Sequence, residues 1–347
     1  MRAVIYTGPG EVALADVTMP SLMEPTDAIV KVTLAGICGT DLHVIRGDFA
    51  GMAPGAVVGH EFVGEVVEVG SAVGRMRPGD TVMASDFTAC GRCGWCDRGD
   101  HWHCRERAFF GTGTSFGPAL AGAQAEFVRV PHADTTLGRL PAGCSPEAAL
   151  LMGDNLATGW VAVERARVEP GDSVVVIGGG AVGQLAALSA QAAGAGVVIV
   201  VEPNATRRAF AQAHGSLAAH PDEAASFVRQ VTGETGADAV IEAVGGNGPM
   251  ELALTLAGAV GRVVSVGTHA AEQWAFPIAR AFRAELSIGF AIGDGIRLRR
   301  RLLKLVAGGV FDPTVVIDAR GNLADVPRLY QQLAAQECLK AVVSPHR

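Results

Sequence analysis

Residues 174–183, VVVIGGGAVG, decide how the whole chain is read. Four apolar β-branched residues run into Gly178-Gly179-Gly180-Ala181-Val182-Gly183, which fits G-x-G-x-x-G, and an alanine-rich stretch follows. In such a turn the first glycine makes the tight bend, the second lets the backbone approach a pyrophosphate, and the third permits close helix–strand packing. The helix that starts there presents unpaired N–H groups to phosphate oxygens. A second apolar run, residues 197–201, ends at Glu202, 24 residues after Gly178, about where an acid that hydrogen-bonds a ribose is expected. The competing reading is a plain βαβ turn that holds nothing. Residues 174–201 are also uncharged, 28 in all, long enough for a membrane span of roughly 20 residues. Gly178, Gly179, Gly180 and Gly183 interrupt that span, and Gln184, Ser189 and Gln191 break its apolar surface. Strand, glycine turn, helix and strand account for it better.

Around this turn the same alternation continues. Residues 174–177, 197–201, 239–243, 261–266 and 285–290 read as short buried strands, with helical stretches such as 184–193 and 205–213 between them. That pattern predicts a doubly wound parallel sheet, the Rossmann arrangement. Upstream, residues 28–35, 61–69, 81–84 and 125–130 are β-rich and separated by turn signals such as Arg77-Pro78-Gly79-Asp80. They predict a strand-rich unit, a small barrel. The character changes near Ser145, where Pro146 opens a helix. Beyond residue 292 come a cationic helix, a strand near 314–317, another helix and a closing strand at 340–343. The expected division is 1–154, completed by 292–347, and 155–291 as the dinucleotide-binding domain.

Composition narrows the function classes. The chain of 347 residues carries 28 Lys and Arg against 35 Asp and Glu, a formal charge of −7. Nucleic-acid binding needs clustered cations, and the longest basic run, residues 297–304, reads as one solvated helix face. With 49% hydrophobic and 18% charged residues, disorder is excluded. Residues 1–17 lack the apolar core of a secretory signal, so a cytoplasmic protein with no membrane partner is expected. The cysteines number seven. An odd count without a secretion signal argues against a disulfide framework, and four of them crowd into residues 90–104.

Cys90-x2-Cys93-x2-Cys96-x7-Cys104 offers four thiols in one loop. Four thiolates close the tetrahedral shell of zinc and leave no position for substrate, so this site reads as structural. Free buried thiols, an iron–sulfur cluster or a nucleic-acid-binding zinc ribbon are the alternatives, though Asp97, Asp100 and Glu106 in the loop disfavour the last. A second set is dispersed: Cys38 in Gly36-Ile37-Cys38-Gly39-Thr40-Asp41-Leu42-His43, and His60-Glu61 in Gly59-His60-Glu61-Phe62. One thiolate and one imidazole make two-thirds of a catalytic zinc site, which keeps one position open.

With these motifs in this order, the chain resembles the zinc-containing medium-chain alcohol dehydrogenases, and the resemblance covers nearly its whole length. It implies a GroES-like catalytic domain with a four-cysteine zinc lobe, a Rossmann domain, two zinc ions per chain and NAD. It also implies a homo-oligomer, dimer or tetramer. In that family the third catalytic zinc ligand varies between Cys and an acid. Here Met152-Gly153-Asp154-Asn155-Leu156-Ala157-Thr158-Gly159 resembles the acid-ligand branch, which implies Cys38, His60 and Asp154 as ligands and Glu61 as a carboxylate that exchanges onto the metal. By the same resemblance Thr40 takes the alcohol proton, His43 ends the relay through the cofactor ribose, and Asp41 orients His60. Val182 and Thr158 pack the nicotinamide, Lys340 meets the pyrophosphate, and Arg207 or Arg208 lies near the adenosine ribose bound by Glu202. The implied reaction is reversible hydride transfer between an alcohol and nicotinamide. Ala50 and Asp86 near Thr40 hint at a polyol or functionalised alcohol, with Phe49, Phe87 and Trp95 shaping the same cleft. The alternatives are an NADPH-consuming carbonyl reductase of the same fold and a non-enzymatic zinc protein that binds dinucleotide or nucleic acid.

Overall fold

A computed structural model describes residues 1–346. Two compact units emerge: Met1–Asp154 together with the stretch from Asp294 on, and Asn155–Gly293.

The second unit is built on the alternation in its own sequence. Side chains of a strand point to opposite faces in turn. Val174 and Val176 accordingly pack against Ala186 and Ala190 on one face of the sheet, while Val175 and Ile177 pack against Val228 and Leu254 on the other. Strands buried on both faces belong to a parallel sheet covered by helices. Side by side run Leu217–Ala219, Val197–Val201, Ser173–Ile177, Ala237–Glu242, Ala257–Ser265 and Ser287–Phe290, all parallel. In chain order this is 3-2-1-4-5-6, so the connections reverse direction next to Ser173–Ile177, and ligands bind at such a switch point. The uncharged run at 174–201 folds as Ser173–Ile177, helix Ala181–Ala192 and Val197–Val201. Among the described residues no helix is long and apolar enough to cross a membrane.

The first unit centres on the ten-residue strand Ala28–Ile37. Phe62–Val69, Phe127–Val130 and Lys340–Val343 all pair with it antiparallel, and Thr81–Ala84, Leu137–Arg139 and Ile317–Gly321 extend the sheet. Val30, Val32, Phe62, Phe110, Leu329 and Val343 fill its core. Two registers position the chemistry-bearing side chains. Ala35 lies opposite Phe62 and Ile37 opposite Ala341, which brings Cys38, His60-Glu61 and Lys340 to one end of the sheet.

Two local expectations needed correction, and one element had not been expected. The strand expected near 314–317 begins only at Ile317; Pro313–Val316 is a 3-10 turn, because Asp312 accepts the Thr314 N–H at 2.8 Å and Pro313 fixes the first turn. The hairpin Arg2–Gly8 with Glu11–Asp16 had no counterpart in the sequence reading. The cationic helix Gly295–Ala307 is not solvated all along its basic face, since Arg299 turns inward and donates to Thr135 O.

Candidate metal centre and dinucleotide site

Strand Ala28–Ile37 stops at Cys38, which caps the N-terminus of helix Gly39–Arg46. Asp41 stands at the third helical position, and its carboxylate accepts the Cys38 N–H at 3.0 Å. The other oxygen of that carboxylate lies 2.8 Å from His60 Nδ1. This second contact is a close charge pair that sits off the ideal hydrogen-bond line, as Nδ1 finds no well-aligned acceptor. One carboxylate thus fixes the helix start and turns the imidazole so that Nε2 faces Asp154, 3.3 Å away. Such a partner behind a ligating histidine is the usual outer support of a metal site. Asp154 ends helix Pro146–Gly153, which Ser145 starts by accepting the Ala148 N–H.

One ligand atom from each of Cys38, His60, Glu61 and Asp154 lies within 4.8 Å of every other. Two donors about 2.0–2.1 Å from a tetrahedral zinc lie roughly 3.4 Å apart, close to the His60–Asp154 separation. The electrostatics are those of a cation site. Burial raises the Cys38 thiol, and the charges of Asp154 and Glu61 raise it further. Burial pushes the Glu61 carboxyl up to about 7, against the opposing pull of Lys340. Burial alone would lower His60, yet Asp41 and Asp154 hold it well above its ordinary value. Burial would raise Asp154, yet His60 holds it well below the ordinary carboxylate range. Three acidic donors and one imidazole in a dry space fit a divalent metal.

The four-cysteine loop forms a second cluster. Cys93 Sγ lies 3.6 Å and Cys90 Sγ 4.0 Å from Cys96 Sγ, far beyond the roughly 2.05 Å of a disulfide. Zinc–sulfur bonds of about 2.3 Å set tetrahedral S···S edges near 3.8 Å. Backbone amides point at the sulfurs: Cys90 N–H and Glu106 N–H donate to Cys104 Sγ at 3.2 and 3.4 Å. Amide donation from Cys96 and Arg105 lowers the Cys93 thiol to about 6, the state a metal ligand needs.

In the Asn155–Gly293 unit the glycines at 178–183 have separate tasks. Gly178 holds φ +97°. A Cβ on Gly183 would lie 1.8 Å from Gly178 O, so only glycine lets the helix pack there. A Cβ on Gly180 would meet nothing nearer than Arg207 Nη1 at 4.0 Å, an open cradle at the start of helix Ala181–Ala192. That cradle with its uncapped N–H groups suits a pyrophosphate, with Arg207 beside it and Val182 on the helix's first turn. Glu202 is buried, and its two oxygens accept Gly179 N–H at 2.6 Å and Asn204 N–H at 2.8 Å. Arg208 is turned to the carbonyls of Glu202 and Pro203.

Other expected residues fall as follows. Thr40 and His43 lie on helix Gly39–Arg46, and His43 Nδ1 meets Asp48 at 2.7 Å, a partner the sequence reading missed. Thr158 sits on helix Asn155–Arg165, where a Cβ on Gly293 would touch its Oγ1. Lys340, expected at the pyrophosphate, is fully buried in the other unit and ion-pairs with Glu61. Asp86 is buried and accepts from Ser85 Oγ at 3.0 Å, while Ala50 is exposed. Phe87 is fully buried against Trp102, and Trp95 lies under Arg98 in the cysteine lobe. Of the three aromatics expected at the cleft, Phe49 is the one near His43.

Comparison with known proteins agrees with this layout. Residues 24–142 match the alcohol dehydrogenase GroES-like domain, and residues 181–308 match the zinc-binding dehydrogenase family. A "Probable zinc-binding alcohol dehydrogenase" of Mycobacterium tuberculosis is 37% identical over 90% of this chain and 80% of its own length. Among solved structures, an alcohol dehydrogenase from Thermus sp. ATN1 is 36% identical with a TM-score of 0.95, covering all of both chains. A "putative zinc-binding dehydrogenase" from Sinorhizobium meliloti 1021, solved bound to NADP, is 30% identical with a TM-score of 0.85 over 99% of both chains.

Proposed function

The chain belongs to the zinc-containing medium-chain alcohol dehydrogenases, and we propose that it interconverts an alcohol and its carbonyl by hydride exchange with NAD(H). The observation that carries this is the convergence of Cys38, His60 and Asp154 with Glu61 at one end of the first unit's sheet. A non-enzymatic scaffold already served by the four-cysteine loop would have no need of a second donor set.

Bound to Cys38, His60 and Asp154, zinc supplies Lewis acidity to the substrate oxygen, as the nicotinamide supplies hydride exchange. The chain's own residues do the rest. Asp41 holds the His60 ring by the charge contact at Nδ1, so that Nε2 faces Asp154. Thr40, in the first turn of Gly39–Arg46, accepts the alcohol proton at Oγ1. His43 takes it outward, steadied at Nδ1 by Asp48. Lys340 holds Glu61 by its charge and so keeps that carboxylate in reserve. Cys90, Cys93, Cys96 and Cys104 hold a second, structural zinc.

For the cofactor, Glu202 beside the glycine turn supports NAD(H), since a 2′-phosphate there would meet like charge. Arg207 next to Gly180 favours the second reading, NADP(H), which the S. meliloti protein binds. The test is metal analysis with a cofactor comparison. Two zinc ions per chain and a higher kcat/KM with NAD(H) are expected; one zinc would reduce the protein to a scaffold, and preference for NADP(H) would promote the reductase reading.

A further inference from the structure

An arc of aromatic rings joins the two ends of the catalytic machinery. The Phe109 ring lies 5.3 Å from the His60 ring. Phe116 lies 5.5 Å from Phe109, Phe49 lies 5.0 Å from Phe116, and Phe49 lies 6.4 Å from His43. The arc therefore starts on the histidine of the candidate metal cluster and ends on the histidine assigned to the proton relay. All of its members belong to the first unit.

Its inner and outer members differ. Phe109 is buried on His60, while Phe116 and Phe49 are half-buried and keep free ring surface. Both outer rings are held in place. Arg107 donates to Phe116 O through Nη2 at 3.0 Å while its guanidinium lies 3.9 Å over Trp102. Ser115 Oγ donates to Ala50 O at 2.8 Å, and Thr114 N–H to Gly51 O at 3.0 Å. The loop carrying Phe116 is thereby stitched to the segment carrying Phe49. Neighbouring rings are tilted by 44° to 60°, the arrangement aromatic quadrupoles favour and one that a further ring can extend.

This wall suits one substrate chemistry. Hydroxyls of a polyol laid against phenyl rings give up water without gaining partners. Asp86, the acid that hinted at a polyol, is buried and engaged by Ser85. We propose that the substrate is an alcohol, or the matching carbonyl, whose reacting carbon bears a planar aromatic group, with Phe116 and Phe49 as its specificity-determining residues. The proposal rests on the dehydrogenase reading above.

The zinc-loaded full chain is assayed with benzyl alcohol, cyclohexylmethanol and glycerol, with NAD and NADP, as wild type, Phe116→Leu and Phe49→Leu. Intrinsic benzylic reactivity cancels when each variant is compared with wild type. We expect each leucine variant to lower kcat/KM for benzyl alcohol about tenfold, chiefly through KM, and to change glycerol by less than about twofold. Zinc content and Tm should not move. In saturation-transfer NMR on the cofactor-free, zinc-loaded chain, the ring protons of benzyl alcohol should show contact that Phe116→Leu weakens. Turnover of all three alcohols with equal losses in the variants, or glycerol as the best substrate, would overturn the aromatic assignment alone. No oxidation of any alcohol with either cofactor would overturn the dehydrogenase reading and this proposal with it.

Discussion

The two cysteine-bearing clusters of the first unit are made from opposite materials. The lobe at Cys90–Cys104 draws all four donors from one short loop, and backbone amides of the same loop aim at the sulfurs. The Cys38 cluster draws donors from a helix cap, a strand start and a helix end, tied together by Asp41. The local cluster offers four thiols, enough to close a coordination shell, in a loop with a small apolar cluster of its own built on Phe87, Ala89, Phe109 and Ile296. The dispersed cluster sits where an existing sheet of large apolar residues already holds its donors. A metal in the lobe should therefore act on stability, and a metal at Cys38 on chemistry.

Substitutions can break this contrast. The largest effect should follow Cys38→Ser or Asp154→Asn, each lowering kcat/KM by ~10³-fold or more while the thermal transition stays nearly in place, since the core of the first unit is independent of that metal. Activity within tenfold of wild type would remove the residue from the ligand set. Thr40→Val should lose ~10²–10⁴-fold in kcat, the range of a general acid–base step, with zinc and cofactor binding retained. A near-normal rate at every pH would send the proton by another route. Cys96→Ser should do the reverse, destabilising the chain by on the order of 3 kcal/mol as coupled metal binding is lost. Calorimetry showing an unshifted transition with zinc retained would dissolve the distinction between the clusters.

Finer changes sharpen it. Asp41→Asn should weaken metal retention at the Cys38 site about 10–100-fold, measured by release to a chelator, and leave the lobe's zinc where it is. Equal release from both sites would mean that Asp41 supports only the fold. The smallest effect belongs to a carboxylate of the Asn155–Gly293 unit, which holds neither cluster. Burial opposes ionisation of Asp238, but Ser173, donating through Oγ at 2.6 Å and N–H at 2.8 Å, holds it below the usual range. Its contribution is present above the unfolded value of about 4 and is lost as pH falls through the lower folded value. Between pH 4 and 2, wild type should lose more stability than Asp238→Asn, as read from urea midpoints.

Much of this was readable in the sequence because it was local. The glycine turn and the Cys-x2-Cys-x2-Cys spacing carry their geometry within a few residues, and period-two burial at 174–177 is a property of one strand. The Cys38, His60 and Asp154 set was readable only through the order of motifs along the chain. Contacts between remote segments left no such trace. Lys340 and Glu61 stand 279 positions apart, and a lone lysine in an apolar strand does not announce its partner. Phe49 and Phe116 lie on turns and bends, and Phe109 on an isolated bridge to Phe87, paths that only tertiary contacts define. At 314–317 a capping aspartate and a proline outweighed the β-branched residues that suggested a strand.

The antiparallel pairing of Lys340–Val343 with Ala28–Ile37 has a consequence for how the molecule is made. Synthesis runs from the N-terminus, so Cys38, His60, Glu61 and Asp154 leave the ribosome long before Lys340 does. Until the last strand arrives, residues 35–37 at the end of Ala28–Ile37 lack their neighbour on one side, and Glu61 lacks its cation. Residues 155–293 are continuous and carry their whole sheet, so they are free to fold during that wait. The donor cluster that emerges first is thus among the last parts of the protein to be finished.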